Sequence, residues 1–205
     1  MLTLHLARGT VALAAHMALE EAALPHRLAW VDFAAAAQRG PAFLALNPKG
    51  RVPVLETPEG ALTETPAILE HVAALAPEAA LMPDGAWPRA RVRETMAWLA
   101  STVHVAHAHR MRGHRWSDDP AAHASMQAKV PETMGAAAAE AEERLGECPW
   151  LHGAFSVADL HLYAIARWLP GDGVDLARFP RLAAHGRAVA ARPAAARALA
   201  HHGAA

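Results

Sequence analysis

Residues 2–31 alternate between the hydrophobic pattern of a strand and that of a helix. Residues 2–6 are an apolar run that ends at a turn, and residues 26–31 alternate apolar and polar positions, so both are predicted to be strands. Between them, over residues 11–22, apolar positions recur at helical spacing with acidic residues on the opposite face. A strand, a helix and a strand joined by so short a return predict a parallel βαβ unit.

A hairpin and a helix are predicted next, after an alanine-rich stretch that favours irregular or short helical structure. Residues 57–60 have turn chemistry and join a strand at 53–56 to a strand at 61–63. Thr65 followed by Pro66 is typical of a helix N-cap and the first helical residue. The order β-α-β-α-β-β-α therefore predicts an α/β layer.

The pattern becomes purely helical after a proline-rich connector at 76–88. Residues 89–112 form one long helical pattern, and a second runs from 118 to 145. Pro131 lies inside the second, which predicts a kink or a break there. Residues 156–159, Ser-Val-Ala-Asp, predict the capping box of a further helix.

These patterns predict an α/β domain over residues 1–77 and an all-helical domain over 87–205.

The composition, 53% hydrophobic and 19% charged, is ordinary for a soluble globular protein. A net charge of −1 gives no reason to expect nucleic acid or an acidic membrane as a partner. Cys148 is the only cysteine, which excludes an intrachain disulfide and fits a cytoplasmic location. We see neither a signal peptide nor an apolar stretch long enough to span a membrane.

Val52-Pro53 is the centre of the N-terminal pattern. A proline at this point removes a ladder donor, so it belongs at an edge, at the first residue of a strand or at a bulge. A cis peptide bond between the two residues is the deliberate feature expected in such a place. It would leave the backbone N–H and C=O of Val52 facing outward, where an extended ligand could pair with them.

Four segments, in this order and spacing, resemble the glutathione S-transferase family over the whole chain. They are residues 13–21, 47–55, 62–69 and 156–159. The first resembles the bacterial beta class in particular. The resemblance implies a thioredoxin-like N-terminal domain and a helical C-terminal domain, the glutathione S-transferase fold. It also implies a cytosolic homodimer that uses glutathione in detoxification.

The resemblance also assigns the residues that bind glutathione. They are Arg51, Val52, Pro53, Glu64, Thr65 and His104. Val52 would pair with the cysteinyl backbone like an added strand. The helix beginning at Thr65 would bind the γ-glutamyl carboxylate, and Glu64 its ammonium. The residues alone leave the alternative that Thr65 only caps a helix and that Glu64 is a solvated turn residue.

This chain departs most from the family pattern at the position of the group that activates the glutathione thiol. The beta class has a cysteine where this chain has Val11, and Leu6 stands in the place of an early tyrosine. The nearest hydroxyl is Thr10, which could donate a hydrogen bond to a thiolate or could simply cap the helix. His107 matches a beta-class histidine near the sulfur and is the second catalytic candidate. Alanine occupies three further positions where polar side chains are expected: 36, 100 and 108.

The function that the resemblance implies is conjugation of the glutathione thiolate to a hydrophobic electrophile bound between the two domains. The alternatives are a glutathione-dependent peroxidase, isomerase or dehalogenase, and a non-catalytic binding protein with the same fold. His104 and His107 lie one helical turn apart and could reach one ion. Because no acidic or thiol ligand lies at a fixed local spacing, we expect no metal.

Overall fold

A computed structural model describes residues 1–203. It contains two compact units, one formed by residues 1–89 with the described residues from 190 on, and the other by residues 90–189. The predicted domains, 1–77 and 87–205, stay a prediction. The grouping places the C-terminal helix with the N-terminal unit. No helix among residues 1–203 is long and apolar enough to cross a membrane.

The first unit is built on a four-stranded mixed sheet. Its strands are β1 (Leu2–Leu6), β2 (His26–Trp30), β3 (Val54–Thr57) and β4 (Gly60–Thr63), in the spatial order β2-β1-β3-β4. β1 pairs with β2 in parallel and with β3 antiparallel, and β3 and β4 form the hairpin. The predicted βαβ unit and hairpin are therefore confirmed. Leu2, Leu4 and Leu6 occupy alternate positions of β1 and are buried, as expected for the core-facing side of a pleated strand.

The helices of this unit are α1 (Ala12–Glu21), α2 (Pro41–Leu46), α3 (Thr65–Leu75) and α9 (Pro193–His202). α1 contacts β1, α3 and α9, so every residue from Ala12 to Leu19 is buried. Two predicted helix starts are wrong by one residue. α1 has Val11 at its N-cap position instead of Thr10, and α3 has Glu64 there instead of Thr65. Both shifts are of the size by which helix ends ordinarily vary.

The second unit is helical throughout its regular structure. Its α-helices are α4 (Ala86–Trp98, which begins in the first unit), α5 (His104–Ala108), α6 (Pro120–Leu145), α7 (Val157–Ala166) and α8 (Pro180–Ala190). The long helix predicted over 89–112 is divided, because Leu99–Val103 between α4 and α5 is π-helical. The predicted capping box of α7 is confirmed, with Ser156 and Asp159 as its two members.

α6 continues through Pro131, so the predicted break does not occur. Proline removes one intrahelical hydrogen bond, to the carbonyl four residues earlier, which belongs to Gln127. Both Pro131 and Gln127 are exposed, so this carbonyl lies on the side of the helix that water reaches. The opposite face carries the buried residues, which recur at helical spacing from Val130 to Leu145. The predicted fold class, an α/β domain followed by a helical domain, is confirmed.

Candidate functional site

The segment before β3 is held in one conformation by Asn47. This buried side chain donates from Nδ2 to the carbonyl of Arg51 at 2.7 Å, and its Oδ1 accepts from the Lys49 N–H at 3.1 Å. Gly50 closes the turn with a φ of 61°, where an added Cβ would lie 3.0 Å from a backbone oxygen. The sequence therefore fixes the turn with a side chain and a glycine. Arg51 itself is exposed.

Val52 and Pro53 follow this turn, and their peptide bond is cis. Pro53 is buried, and Val52 is partly exposed. The antiparallel ladder with β4 begins only at Val54, which pairs with Thr63. Val52 therefore lies beyond the paired part of the strand.

The same register brings the next predicted residues to Val52. Because Val54 opposes Thr63, the residues just before Val54 and just after Thr63 lie at one end of the hairpin. Glu64 and Thr65 are those residues on the second strand, so the structure brings Val52 together with both of them. β1 also opposes β3, with His5 opposite Val54, which places the chain after β1 at the same end of the sheet.

Glu64 has an unusual backbone and an ionic partner. Its φ of 72° lies in a region that side-chain-bearing residues rarely adopt, and such residues concentrate at ligand sites and turns. Its carboxylate accepts from Lys49 Nζ at 2.5 Å, and the same ammonium donates to the Thr63 hydroxyl at 2.9 Å. Lys49 was not among the predicted site residues. Both side chains are largely exposed, so this ion pair contributes little to stability.

Thr65 is the first residue of α3 and is buried. Pro66 follows in the first turn, where its missing N–H costs no hydrogen bond. The N-terminus of an eleven-residue helix presents unpaired N–H groups and a partial positive charge. A carboxylate bound there would be stabilised by both.

Thr10 lies between β1 and α1 and uses its hydroxyl within the protein. The hydroxyl donates to the Ala7 carbonyl at 2.7 Å and accepts a longer bond, 3.4 Å, from the Ala12 N–H. It therefore takes part in ending the strand and starting the helix, although it is not the N-cap. Val11 beside it is buried and carries no polar side-chain atom.

His104 and His107 lie on α5 of the second unit, and both contact one indole ring. The His107 ring stacks on Trp168 with centroids 4.1 Å apart, and His104 meets the same ring at 5.0 Å. His107 Nδ1 lies 2.7 Å from a carboxylate oxygen of Asp172, a buried residue that also accepts from Arg110 at 3.4 Å. The carboxylate oxygen can only accept, so Nδ1 carries a hydrogen, and in the neutral form of the ring Nε2 then has the lone pair.

Sequence reasoning missed three residues of these sites. Asn47 and Lys49 were part of the recognised 47–55 segment, and an Asn-Pro-x-Gly sequence is a turn signal that points to Asn47. Asp172 gave no local signal, because it is 65 residues from His107 along the chain.

Comparison with known proteins gives the family. A model described as the N-terminal domain of glutathione S-transferase matches residues 10–75. A maleylacetoacetate isomerase of Pseudomonas aeruginosa is 32% identical over 164 residues, covering 76% of this chain and 74% of the relative. Glutathione S-transferase GST-4.5 of Xanthomonas campestris pv. campestris is 32% identical over 174 residues, 82% of each protein.

Solved structures are similar over nearly the whole chain. A glutathione transferase homologue from Sulfitobacter, solved with bound glutathione, is 46% identical, with a TM-score of 0.93 over 96% of each chain. A bacterial beta-class glutathione S-transferase of Sphingomonas chungbukensis is 30% identical, with a TM-score of 0.86 over 98% of each chain.

Proposed function

The chain belongs to the glutathione S-transferase family, and from this premise we propose that it binds glutathione and transfers the glutathione thiolate to a hydrophobic electrophile. The observation that carries the proposal is the register of β3 and β4, which brings the backbone of Val52, outside the strand ladder, to the same end of the hairpin as the N-terminus of α3. Glutathione is an extended peptide with a carboxylate and an ammonium at its γ-glutamyl end. An open strand and a helix N-terminus are the two features that such a ligand needs.

Binding uses the first unit. Val52 pairs with the cysteinyl backbone like an added strand, with Arg51 and Pro53 as its neighbours. The first turn of α3, with the Thr65 hydroxyl, accepts the γ-glutamyl carboxylate. Glu64 accepts the ammonium, which takes the place that the Lys49 ammonium occupies in the structure. His104, predicted from the resemblance as a further contact, stays a prediction.

The chemistry needs only activation of the bound thiol. The S–H bond loses its proton, the sulfur forms a bond to the electrophilic carbon, and the leaving group departs with its electron pair. The nucleophile belongs to glutathione, so the protein has to favour the thiolate and position it. The positive end of α1 beside Thr10 supplies a favourable field. The Thr10 hydroxyl can donate to the sulfur only by turning away from the Ala7 carbonyl, and His107 is proposed as the group that accepts the proton.

Calorimetry with glutathione tests the binding site. Thr65→Val and Glu64→Gln each remove one charge-assisted contact, so we expect each to weaken binding by about tenfold. Glu59→Gln is the matched control, since Glu59 is an exposed carboxylate at the tip of the same hairpin. Equal affinities in all three variants and the wild type would reject the assignment. Failure of the wild-type chain to bind glutathione would reject the function itself.

Ultraviolet absorbance of the bound thiolate at neutral pH tests activation. We expect a thiolate signal in the wild type and a smaller one in Thr10→Val and His107→Gln, with turnover of an aryl halide falling in parallel. A full signal in both variants would exclude both residues as activating groups. Bound glutathione with no thiolate signal in the wild type would favour a non-catalytic binding protein.

A second candidate function is glutathione-dependent isomerisation. It is favoured by one observation, the 32% identity to a maleylacetoacetate isomerase over most of both chains. Parallel assays with an aryl halide and with maleylacetoacetate, each with glutathione, separate the two. Faster turnover of maleylacetoacetate would replace transfer by isomerisation as the activity.

The remaining features of the assigned function are also proposals. A homodimer is tested by light scattering of the purified chain, and a cytoplasmic location by fractionation of cells that express it. The electrophile is proposed only as a hydrophobic class.

A further inference from the structure

A separate group of side chains lies on the first unit, and its strand residue is at the end of the sheet opposite to Val52 and Glu64. His16 and Glu20 are one helical turn apart on α1, and His26 is the first residue of β2. One ligand atom from each of the three lies within 4.8 Å of the others. We call these residues the His16–Glu20–His26 cluster. It lines an open pocket of about 410 Å³, whose wall also includes Arg197 and His201 of α9.

His16 supplies the observation that points to a ligand. The residue is fully buried, and its Nε2 has no hydrogen-bond partner among the described residues. Its other nitrogen, Nδ1, lies 3.2 Å from His202 Nε2. Leaving a buried polar atom unpaired is costly, and native proteins rarely tolerate it without a reason. The unpaired Nε2 lies 3.8 Å from Glu20 Oε1, so it is aimed into the cluster.

His26 is held in the tautomer that a metal needs. Its Nδ1 lies 2.8 Å from the Leu24 carbonyl, which can only accept, so Nδ1 carries the hydrogen. In the neutral ring this leaves the Nε2 lone pair directed at the cluster, 3.8 Å from Glu20 Oε1. Such a backbone carbonyl behind a histidine is the usual outer partner of a metal-ligating imidazole.

Glu20 is oriented in a similar way. Arg197 Nε binds its Oε2 at 2.7 Å, which leaves Oε1 facing both histidines. The guanidinium holds the carboxylate in place, and its positive charge limits how tightly a cation can bind. A carboxylate that gives one oxygen to the site and the other to an arginine is therefore a ligand of moderate strength.

We propose that His16 Nε2, Glu20 Oε1 and His26 Nε2 bind one divalent transition-metal ion of the zinc class. Bonds of about 2.05 Å in tetrahedral geometry separate neighbouring ligand atoms by roughly 3.4 Å. The two separations from Glu20 Oε1 are 3.8 Å each, and all three ligand atoms lie within 4.8 Å of one another, so side-chain rotations have to bring them closer. Two imidazoles and one carboxylate favour zinc, cobalt, nickel or copper over magnesium or calcium. The fourth position opens into the pocket. The site does not depend on the proposed glutathione function.

Titration of the chelator-treated full chain with Zn²⁺ in a calorimeter, and with Co²⁺ by visible absorbance, tests the proposal. We expect one ion per chain and the visible bands of cobalt in a nitrogen and oxygen environment of low symmetry. His26→Gln and Glu20→Gln should each weaken binding by about tenfold or more. Both positions are only partly buried, so these variants are expected to fold, which thermal unfolding monitors.

Two matched controls accompany them. Glu21→Gln removes the next carboxylate of α1, which pairs with Arg192, the residue before α9, and not with the cluster. His114→Gln removes an exposed imidazole of the second unit. Both controls should bind as the wild type does. Unchanged affinity in His26→Gln, equal losses in the controls, or weak binding of several ions per chain would show adventitious binding by surface histidines and overturn the proposal.

Discussion

His161 is a titratable residue buried without a hydrogen bond in the part of the chain that the structure describes. It lies in α7, fully buried, and neither ring nitrogen has a hydrogen-bond partner among residues 1–203. Burial lowers the pKa of His161 to about 3, so the ring is neutral at neutral pH. Even a neutral imidazole loses its hydrogen bonds to water on burial, and this side chain gains none in return.

Replacing His161 with leucine should therefore stabilise the protein. A buried donor or acceptor without a partner costs about 1–3 kcal/mol, and leucine removes it at similar volume. Urea unfolding at pH 7.5 measures the gain. His185→Leu is the matched control, because His185 is equally buried but lies 3.2 Å from the Pro149 carbonyl and should show a smaller gain or a loss. Destabilisation by His161→Leu greater than by His185→Leu would contradict the reasoning.

Asp172 is a positioning residue for His107. Its carboxylate is fully buried and accepts from His107 Nδ1, while Trp168 stacks on the ring. Asp172→Asn replaces a charged acceptor with a neutral amide, so the ring should lose its fixed tautomer. ¹⁵N shifts of the two ring nitrogens, assigned against His107→Gln, measure the change. We expect turnover of the proposed reaction to fall by about tenfold with an unchanged KM for glutathione.

Asp175→Asn is the control for that experiment. Asp175 lies three residues further on and caps a short helix, where it accepts from the Ala177 N–H at 2.9 Å. It should leave both the ring nitrogens and turnover unchanged. Identical ¹⁵N shifts in Asp172→Asn and the wild type would show that the carboxylate does not set the tautomer.

At the scale of the element, the start of α7 is the best-defined local structure. Both oxygens of Asp159 are used: one accepts from the Leu151 N–H at 2.9 Å, the other from the Ser156 N–H at 2.8 Å and the Ser156 hydroxyl at 3.1 Å. Ser156 in turn accepts from the Ala158 N–H. The box therefore ties the helix to the preceding loop as well as capping it.

Removing the two members of the α7 capping box should lower the free energy of unfolding by different amounts. Ser156→Ala removes a cap and should destabilise by about 1 kcal/mol. Asp159→Ala leaves two buried N–H groups without acceptors, so we expect a loss of about 3 kcal/mol or more. Urea unfolding measures both, with Asp119→Ala, the exposed N-cap of α6, as the control at about 1 kcal/mol. A smaller loss for Asp159→Ala than for Ser156→Ala would contradict this order.

The α7 cap was predictable from the sequence because all of its signals lie within a few adjacent residues. The hairpin and the βαβ unit were predictable for a related reason, since turn residues and hydrophobic period are local. The π-helical segment was not. The buried residues Val92, Met96, Leu99 and Val103 recur at helical spacing, and the next buried residue, Ala108, follows only after five positions. The wider turn shifts the buried face, and no residue type in 99–103 signals that shift.

The residues of the candidate site also divide into those with local sequence signals and those that only the tertiary structure brings together. The turn at 47–51 and the helix start at 64–65 have local signals, so their residues could be predicted. The ion pair of Glu64 with Lys49 and the pairing of His107 with Asp172 depend on the tertiary structure. The His16–Glu20–His26 cluster is partly local, through the helical spacing of its first two members. Its third member begins β2 and joins them only in the tertiary structure.

At the scale of the whole molecule, three buried groups outside the His16–Glu20–His26 cluster give the stability a pH dependence with opposing signs. Burial lowers the pKa of His161 to about 3 and that of His185 to about 4, against ordinary values of 6.5. Burial raises the pKa of Asp159 to about 6 from 3.8, against the opposing effect of its hydrogen bonds. Between about pH 4.5 and 5.5 the unfolded chain therefore binds two extra protons on the histidines, and the folded chain binds one extra proton on Asp159.

These signs predict that acid destabilises the protein in this window. Each unmatched proton bound by the unfolded state changes the free energy of unfolding by about 1.4 kcal/mol per pH unit, so these three groups together contribute a loss of about 1.4 kcal/mol per pH unit as the pH falls. His16, whose pKa burial lowers to about 3, adds a loss of the same sign to the wild type and to both variants below. His161→Leu should make the slope shallower by about 1.4 kcal/mol per pH unit, because one histidine no longer takes up a proton on unfolding. Asp159→Asn should make it steeper by the same amount, since the carboxyl that protonates preferentially in the folded state is removed. Urea unfolding of the three proteins from pH 4.5 to 5.5 measures the slopes, and a shift of the same sign in both variants would contradict the assignment.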